Sequence, residues 1–165
     1  MIDVSLDQMW AGWRNEFVES IPSTKEECIL CTLGRLNVGV ETHVLYKGDL
    51  NYVVMNAFPY APAHIMVVPY SHEGDYLSLG DAVVKENLAL TRRVVAAIKR
   101  AYNPDGFNLG ANIGKAGGAA IAAHIHFHVV PRWIGDTNFM TSVANTRVLP
   151  ESLDSSYQRV FSAME

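Results

Sequence analysis

His124-Ile125-His126-Phe127-His128-Val129-Val130-Pro131 alternates imidazole with apolar side chains. Successive side chains of a strand point to opposite faces. The spacing therefore predicts a strand over residues 123–131, with His124, His126 and His128 on one face and Ile125, Phe127 and Val129 on the other. The apolar set is expected to pack on a helix, leaving the histidines on the opposite face at Cα separations of roughly 6–7 Å. A lone strand histidine is usually a structural residue, but hydrophobic packing alone would not select three on one face. Spacing alone leaves two chemistries open. One is a nucleophile or base with neighbours that orient it and protonate a leaving group. The other is a three-histidine metal site.

The stretch just upstream, Asn112-Ile113-Gly114-Lys115-Ala116-Gly117-Gly118-Ala119-Ala120, is small and glycine-rich. Such a loop can bring backbone N–H groups close to a phosphate. By itself it would be a flexible connection; beside three histidines it favours the phosphate reading.

Further out, residues 43–46 and 52–56 read as strands joined by the turn Lys47-Gly48-Asp49. Pro59 and Pro62 bar residues 58–62 from a central ladder, and residues 65–68 form a short buried strand. Residues 77–102 carry Leu79, Val83, Leu88, Val94, Val95 and Ile98 as an apolar stripe and read as the longest helix. Asn103-Pro104-Asp105-Gly106 stops it. Residues 107–113 read as another strand. Leu6, Met9, Trp10, Trp13, Phe17 and Ile21 fit one face of a short helix over 4–20. Pro150 sits at the first turn of a closing helix to residue 164. Several strands with one main helix inserted between them favour an α+β fold with a mostly antiparallel sheet.

Composition sets the frame. The 165 residues are 49% hydrophobic and 18% charged, with a formal net charge of −4. That is an ordinary globular balance, long enough for one domain with a small extension. No Lys/Arg cluster marks a nucleic-acid face, and no apolar run is long enough to span a bilayer. The acidic start, Met1-Ile2-Asp3, lacks the basic region of a secretory signal, so a cytoplasmic protein is expected. Cys28 and Cys31, the two cysteines, are spaced as half a metal site or a redox pair.

At these residues the sequence resembles the histidine triad superfamily. Residues 124–130 match its His-x-His-x-His signature followed by two apolar positions. Asn56, Pro62-Ala63-His64-Ile65-Met66-Val67-Val68-Pro69 and His72 resemble its second block. Pro131-Arg132-Trp133, Gly135-Asp136-Thr137-Asn138-Phe139 and Trp10-Ala11-Gly12-Trp13-Arg14 resemble the bacterial diadenosine polyphosphate hydrolase or phosphorylase branch, related to the fragile-histidine-triad group. The likeness runs over about residues 9–150.

The resemblance implies a five-stranded antiparallel sheet with one main helix and helical segments at both ends. This would be a single domain over 1–165, with an N-terminal extension 1–40 carrying the Cys pair and a C-terminal tail 140–165. It implies a homodimer whose sheets join. It also implies cleavage of dinucleoside polyphosphates at an α-phosphorus in two steps. His126 would be the nucleophile, forming a nucleotidyl-histidine that water, phosphate or another acceptor releases. His128 would contact the phosphate or the bridging oxygen, Asn56 the ribose and Asn112 the phosphates. Trp133 would lie near the nucleotide, across the dimer.

Two departures bear on substrate. Many relatives carry Gln or Ser four residues before the first triad histidine, where this chain has Ala120 preceded by Ala119. The phosphate loop, with Gly118, Ala119 and Ala120, is then expected to offer backbone donors plus Lys115. Ala63 stands where relatives usually have Gly.

The resemblance further implies a structural zinc held by Cys28, Cys31, His72 and His124, a closed tetrahedral set that would remove His124 from proton chemistry. Reduced structural thiols are the plain alternative. His64 reads as a residue satisfying nearby backbone groups and His43 as a surface strand residue. Arg132 and Arg147 could face phosphate or pair with surface carboxylates. Cleavage of adenosine phosphoramidates, slow-turnover nucleotide binding and a three-histidine metalloenzyme are the competing functions. Hydrolysis versus phosphorolysis, base preference and any magnesium accompanying the substrate stay open.

Overall fold

The computed structural model describes residues 28–136 and 150–164. The expected helix over 4–20, Arg147 and residues 137–139 lie outside them. In chain order the elements are α1 (Ile29–Arg35), β1 (Val44–Lys47), β2 (Asn51–Met55), β3 (Ile65–Pro69), a 3-10 turn (Tyr76–Ser78), α2 (Asp81–Tyr102), β4 (Gly106–Gly110), β5 (Phe127–Arg132) and α3 (Leu153–Met164).

The strands form one five-stranded sheet in the order β1-β2-β3-β5-β4, antiparallel at every pairing. Both faces are covered, which is why β2 and β3 are buried throughout and read as continuous apolar runs. Val53, Met55, Ile65, Val67 and Val129 meet Leu90, Val94, Ala97 and Ile98 of α2 and Tyr157, Val160 and Met164 of α3. Tyr52, Val54, Met66 and Val68 face the other way, onto Cys28, Leu30 and Cys31 around α1. The two sets alternate along each strand, as a pleat requires.

The α2 boundary differs from the sequence expectation. Gly80 is extended and stands as its N-cap, so residues 77–80 lie outside the helix, Leu77 and Ser78 in the 3-10 turn. Leu88, expected in the apolar stripe, is exposed; Asn87 is buried instead. The reason is polar. Asn87 Nδ2 donates to Asn51 Oδ1 (3.0 Å), and the Glu86 carboxylate accepts from the amides of Asp49 and Leu50 (both 2.8 Å). This face of α2 holds the β1–β2 turn by hydrogen bonds.

The histidine strand also differs. Pairing with β3 and β4 begins near Phe127, so His124 and His126 precede β5 rather than lie within it. Ile125 N–H donates to Glu73 C=O (2.7 Å), outside the sheet ladder. Val129 enters the α2 core as expected, whereas Phe127 meets the edge of Tyr76. β4 stops at Gly110, short of the expected residue 113. The last helix starts at Leu153, so Pro150 precedes it rather than occupying its first turn.

Candidate active site and metal centre

Cys28 is the N-cap of α1 and Cys31 follows on the same side of its first turn, as three-residue spacing on a helix dictates. Both thiols point at His124: Cys28 Sγ and Cys31 Sγ each lie 3.4 Å from His124 Nδ1. Cys31 Sγ is also 3.4 Å from His72 Nδ1. All four donor atoms lie within 4.8 Å of one another. Tetrahedral zinc with its usual bond lengths brings ligand atoms to about 3.3–3.8 Å from each other, and the three 3.4 Å separations match that cage.

The tautomer agrees. His124 Nε2 is 2.9 Å from the Pro69 carbonyl, an acceptor only, so Nε2 carries the proton. Nδ1 then presents a lone pair to two sulfurs. A ring N–H tied to a carbonyl behind the ligating nitrogen is the usual support of a metal-binding histidine.

His126 is 6% exposed, and its Nδ1 lies 2.9 Å from the His124 carbonyl. The same reasoning places the proton on Nδ1 and leaves Nε2 with a lone pair. Burial lowers its pKa, partly opposed by that backbone bond, so the ring is neutral near pH 7.

The His126 ring stands edge-on to His128 at 5.0 Å, and His128 leads to His64. His64 Nδ1 accepts from the Tyr60 amide (3.0 Å), and its Nε2 is 2.9 Å from His128 Nδ1. A backbone N–H thus fixes His64 with its proton on Nε2, donating to His128 Nδ1. That in turn leaves His128 its proton on Nε2. Two neighbouring imidazoles are set in opposite senses, His126 as electron-pair donor and His128 as proton donor. His64 is fully buried, and its pKa is lowered to about 3, first by burial and then by His128 and His126. Sequence reading assigned it to nearby backbone groups alone. It does accept the Tyr60 amide, but it also bonds a triad histidine 64 positions away, which no local pattern signals.

The remaining expected site residues separate into near and far. Asn56 Nδ2 reaches His64 Nδ1 at 3.3 Å, and its Oδ1 accepts from Phe58 N–H (2.9 Å). Asn112 Nδ2 donates to Gly118 C=O (3.2 Å), bracing the glycine loop from within. Gly114 and Gly118 adopt φ of 67° and 81°. The amides of Gly117, Gly118 and Ala119 close turns onto Gly114 and Lys115 carbonyls, so the loop spends on itself donors that the sequence reading offered to phosphate. Ala120 N–H lies outside these turns. Trp133 follows β5 and meets Tyr102 edge-on at 6.4 Å rather than the histidines. Arg132 takes the ion-pair alternative, bonding Asp136 (2.5 and 2.8 Å) and Asn108 (2.7 Å). His43 is not a strand residue; it has φ 57° and lies 2.8 Å from Asp154.

An antiparallel five-stranded sheet carrying such a histidine cluster beside its central strands defines a histidine-triad class of protein. A family model described as HIT domain matches residues 38–133, and the chain belongs to that family. Among its relatives is AP-4-A phosphorylase of Mycobacterium tuberculosis, 43% identical over 154 residues covering 90% of this chain and 79% of the relative. Bis(5'-adenosyl)-triphosphatase of Saccharomyces cerevisiae is 30% identical over 100 residues, covering 57% and 46%. A Zn-bound histidine triad family protein from Mycobacterium smegmatis shares the fold with a TM-score of 0.68, at 24% identity over 86% of this chain and 95% of that one.

Proposed function

We propose that the protein is an enzyme that cleaves dinucleoside polyphosphates, of the Ap4A and Ap3A kind, at an α-phosphorus through His126. The observation that carries this is the buried His126 with Nδ1 on the His124 carbonyl, which puts the proton there and the lone pair on Nε2, in a ring whose pKa burial lowers. Nε2 attacks the α-phosphorus, forming a P–N bond as the bridging P–O bond breaks. His128 Nε2–H gives its proton to the departing oxygen. An acceptor then attacks the same phosphorus, returns a proton to His128 and frees His126. Splitting one displacement into two in this way is what covalent catalysis supplies. Asn56, beside His64, is assigned to the ribose. The loop of Asn112, Gly118, Ala119 and Ala120 is assigned to the phosphates; Asn112, Gly118 and Ala119 shape it through their internal bonds, and Ala120 N–H is the donor left for the transition state. Trp133 would serve a nucleotide site only if a second chain brings it there.

Phosphate is the favoured acceptor, supported by the 43% identical relative named as a phosphorylase; the balance is then Ap4A plus phosphate giving ATP plus ADP. Incubating the protein with Ap4A or Ap3A, with and without phosphate, and separating the products tests this. ADP formed from Ap4A only with phosphate marks a phosphorylase, AMP in water a hydrolase. No cleavage of either substrate would sink the reading.

Cys28, Cys31, His72 and His124 are assigned to zinc. Four protein ligands leave no open position, so the metal would act by holding structure. Elemental analysis of protein purified without chelator checks it. Metal-holding thiols fit a reducing compartment, in keeping with a cytoplasmic protein, and no helix among the described residues is long and apolar enough to cross a membrane. The homodimer is assigned to the β4 edge of the sheet, where Leu109 and, just beyond, Ile113 are exposed. Light scattering that returned a monomer mass would remove it.

A further inference from the structure

Ala63 is fully buried and has φ 55°, a left-handed conformation that strains a residue with a Cβ. It immediately precedes His64, so its backbone sets the direction from which the His64 ring approaches His128. A buried N–H in a strained conformation needs a partner. The partner comes from the far end of the chain: Ala63 N–H donates to Ser156 Oγ of α3 at 2.9 Å, across 93 positions.

Ser156 is itself 3% exposed, and its hydroxyl is held in turn. Tyr102 Oη lies 3.1 Å from Ser156 Oγ and also bonds the Glu151 carboxylate. Burial, with Glu151 beside it, pushes the Tyr102 phenol up to about 12, so it stays protonated. Its one proton serves the carboxylate. The serine hydroxyl is then left to donate to Tyr102 while accepting from Ala63. The chain of bonds runs one way, from Ala63 to Ser156 to Tyr102 to Glu151, and each member polarises the next.

We propose that Ser156 is a positioning residue for the histidine pair, holding the left-handed turn at Ala63 so that His64 bonds His128 and fixes its proton on Nε2. This rests on the reading of His128 as proton donor to the leaving group. It gives the C-terminal helix a part in catalysis although it touches no reacting atom. An uncapped left-handed Ala63 relaxes, and the His64 ring swings off His128.

The test compares Ser156→Ala, Ala63→Gly and the double variant. Readouts are kcat and KM for Ap4A, the melting temperature, and the ring ¹⁵N signals of His64 and His128. Ser156→Ala is expected to lower kcat about 10-fold or more, as a small misplacement of a catalytic group does. KM should stay within about two-fold, since bound nucleotide is not the target. The His128 ring should lose its single-tautomer signature. Glycine adopts positive φ without strain, so adding Ala63→Gly should recover a large part of the lost kcat and the ring signals. Unchanged kcat and ring signals in Ser156→Ala would overturn the inference. So would a fall in melting temperature and kcat with the His64–His128 signals intact or with no recovery from glycine, which would make Ser156 merely structural. If the wild type cleaves neither Ap4A nor Ap3A, the proposed reaction has failed, and the ring signals alone still decide whether Ser156 sets the histidine pair.

Discussion

Burial first, then the neighbouring His128 and His126, keep the His64 imidazole neutral, with its pKa lowered to about 3. The unfolded chain takes up that proton near the ordinary 6.5. Between those values the unfolded state binds more protons, so stability rises with pH there. The contribution is fully present above pH 6.5 and is lost as pH falls toward 3, with a slope of up to about 1.4 kcal/mol per pH unit from this one group. Urea melts of wild type and His64→Asn at pH 4 to 8 should show a flatter acid limb in the variant; parallel limbs would refute the assignment. His126→Ala should leave the melting temperature within a few degrees and reduce kcat/KM on the order of 10³-fold or more, as loss of a nucleophile does. A variant that still forms a trappable nucleotidyl-protein would show that another group is the nucleophile. Spacing pointed to the three histidines together, and the family resemblance of the His-x-His-x-His signature singled out His126. His64 could not be found that way, because its role depends on which imidazole folds against it.

At the scale of elements, the glycine loop is a demanding piece of backbone near the site. A Cβ on Gly117 would lie 2.3 Å from the Ile113 carbonyl oxygen, a clash that flexible side chains cannot relieve. Gly117→Ala should therefore open the loop. The expected result is a kcat/KM for Ap4A lowered about ten-fold or more with little change in melting temperature, because the segment is exposed; steady-state kinetics beside calorimetry checks it. Apolar periodicity made β2, β3 and the body of α2 legible, since their environment is written in consecutive side chains. It overran at the histidines. His-x-His-x-His alternates as a strand would, but the ladder starts only at Phe127, because His124 is claimed by the Pro69 carbonyl and the two thiols and Ile125 by Glu73. Leu88 misled for a similar reason: polar contacts to the β1–β2 turn, not hydrophobicity, choose the inward face of that end of α2.

Across the whole molecule, the Cys28–His124 contact joins points 96 positions apart, and the His124 carbonyl in turn holds His126. The proposed zinc site and the proposed nucleophile are thus coupled through His124. Removing the proposed zinc with a chelator, or substituting Cys31→Ser, should lower the melting temperature by about 5–10 °C and reduce kcat, as differential scanning calorimetry and assays on the same samples would report. Full activity in metal-free protein would break the coupling. The sheet order carries a different consequence. β1, β2 and β3 lie in one stretch of chain and can pair as soon as they are made, but the other edge of β3 is closed by β5, which follows only after α2, β4 and the glycine loop. While the ribosome is still delivering those residues, Ile65, Met66 and Val67 sit on an open apolar edge, the kind that recruits foreign strands. The soluble yield of this protein should therefore depend on how fast it is translated, improving when synthesis is slowed enough for each nascent chain to close its own sheet before meeting another.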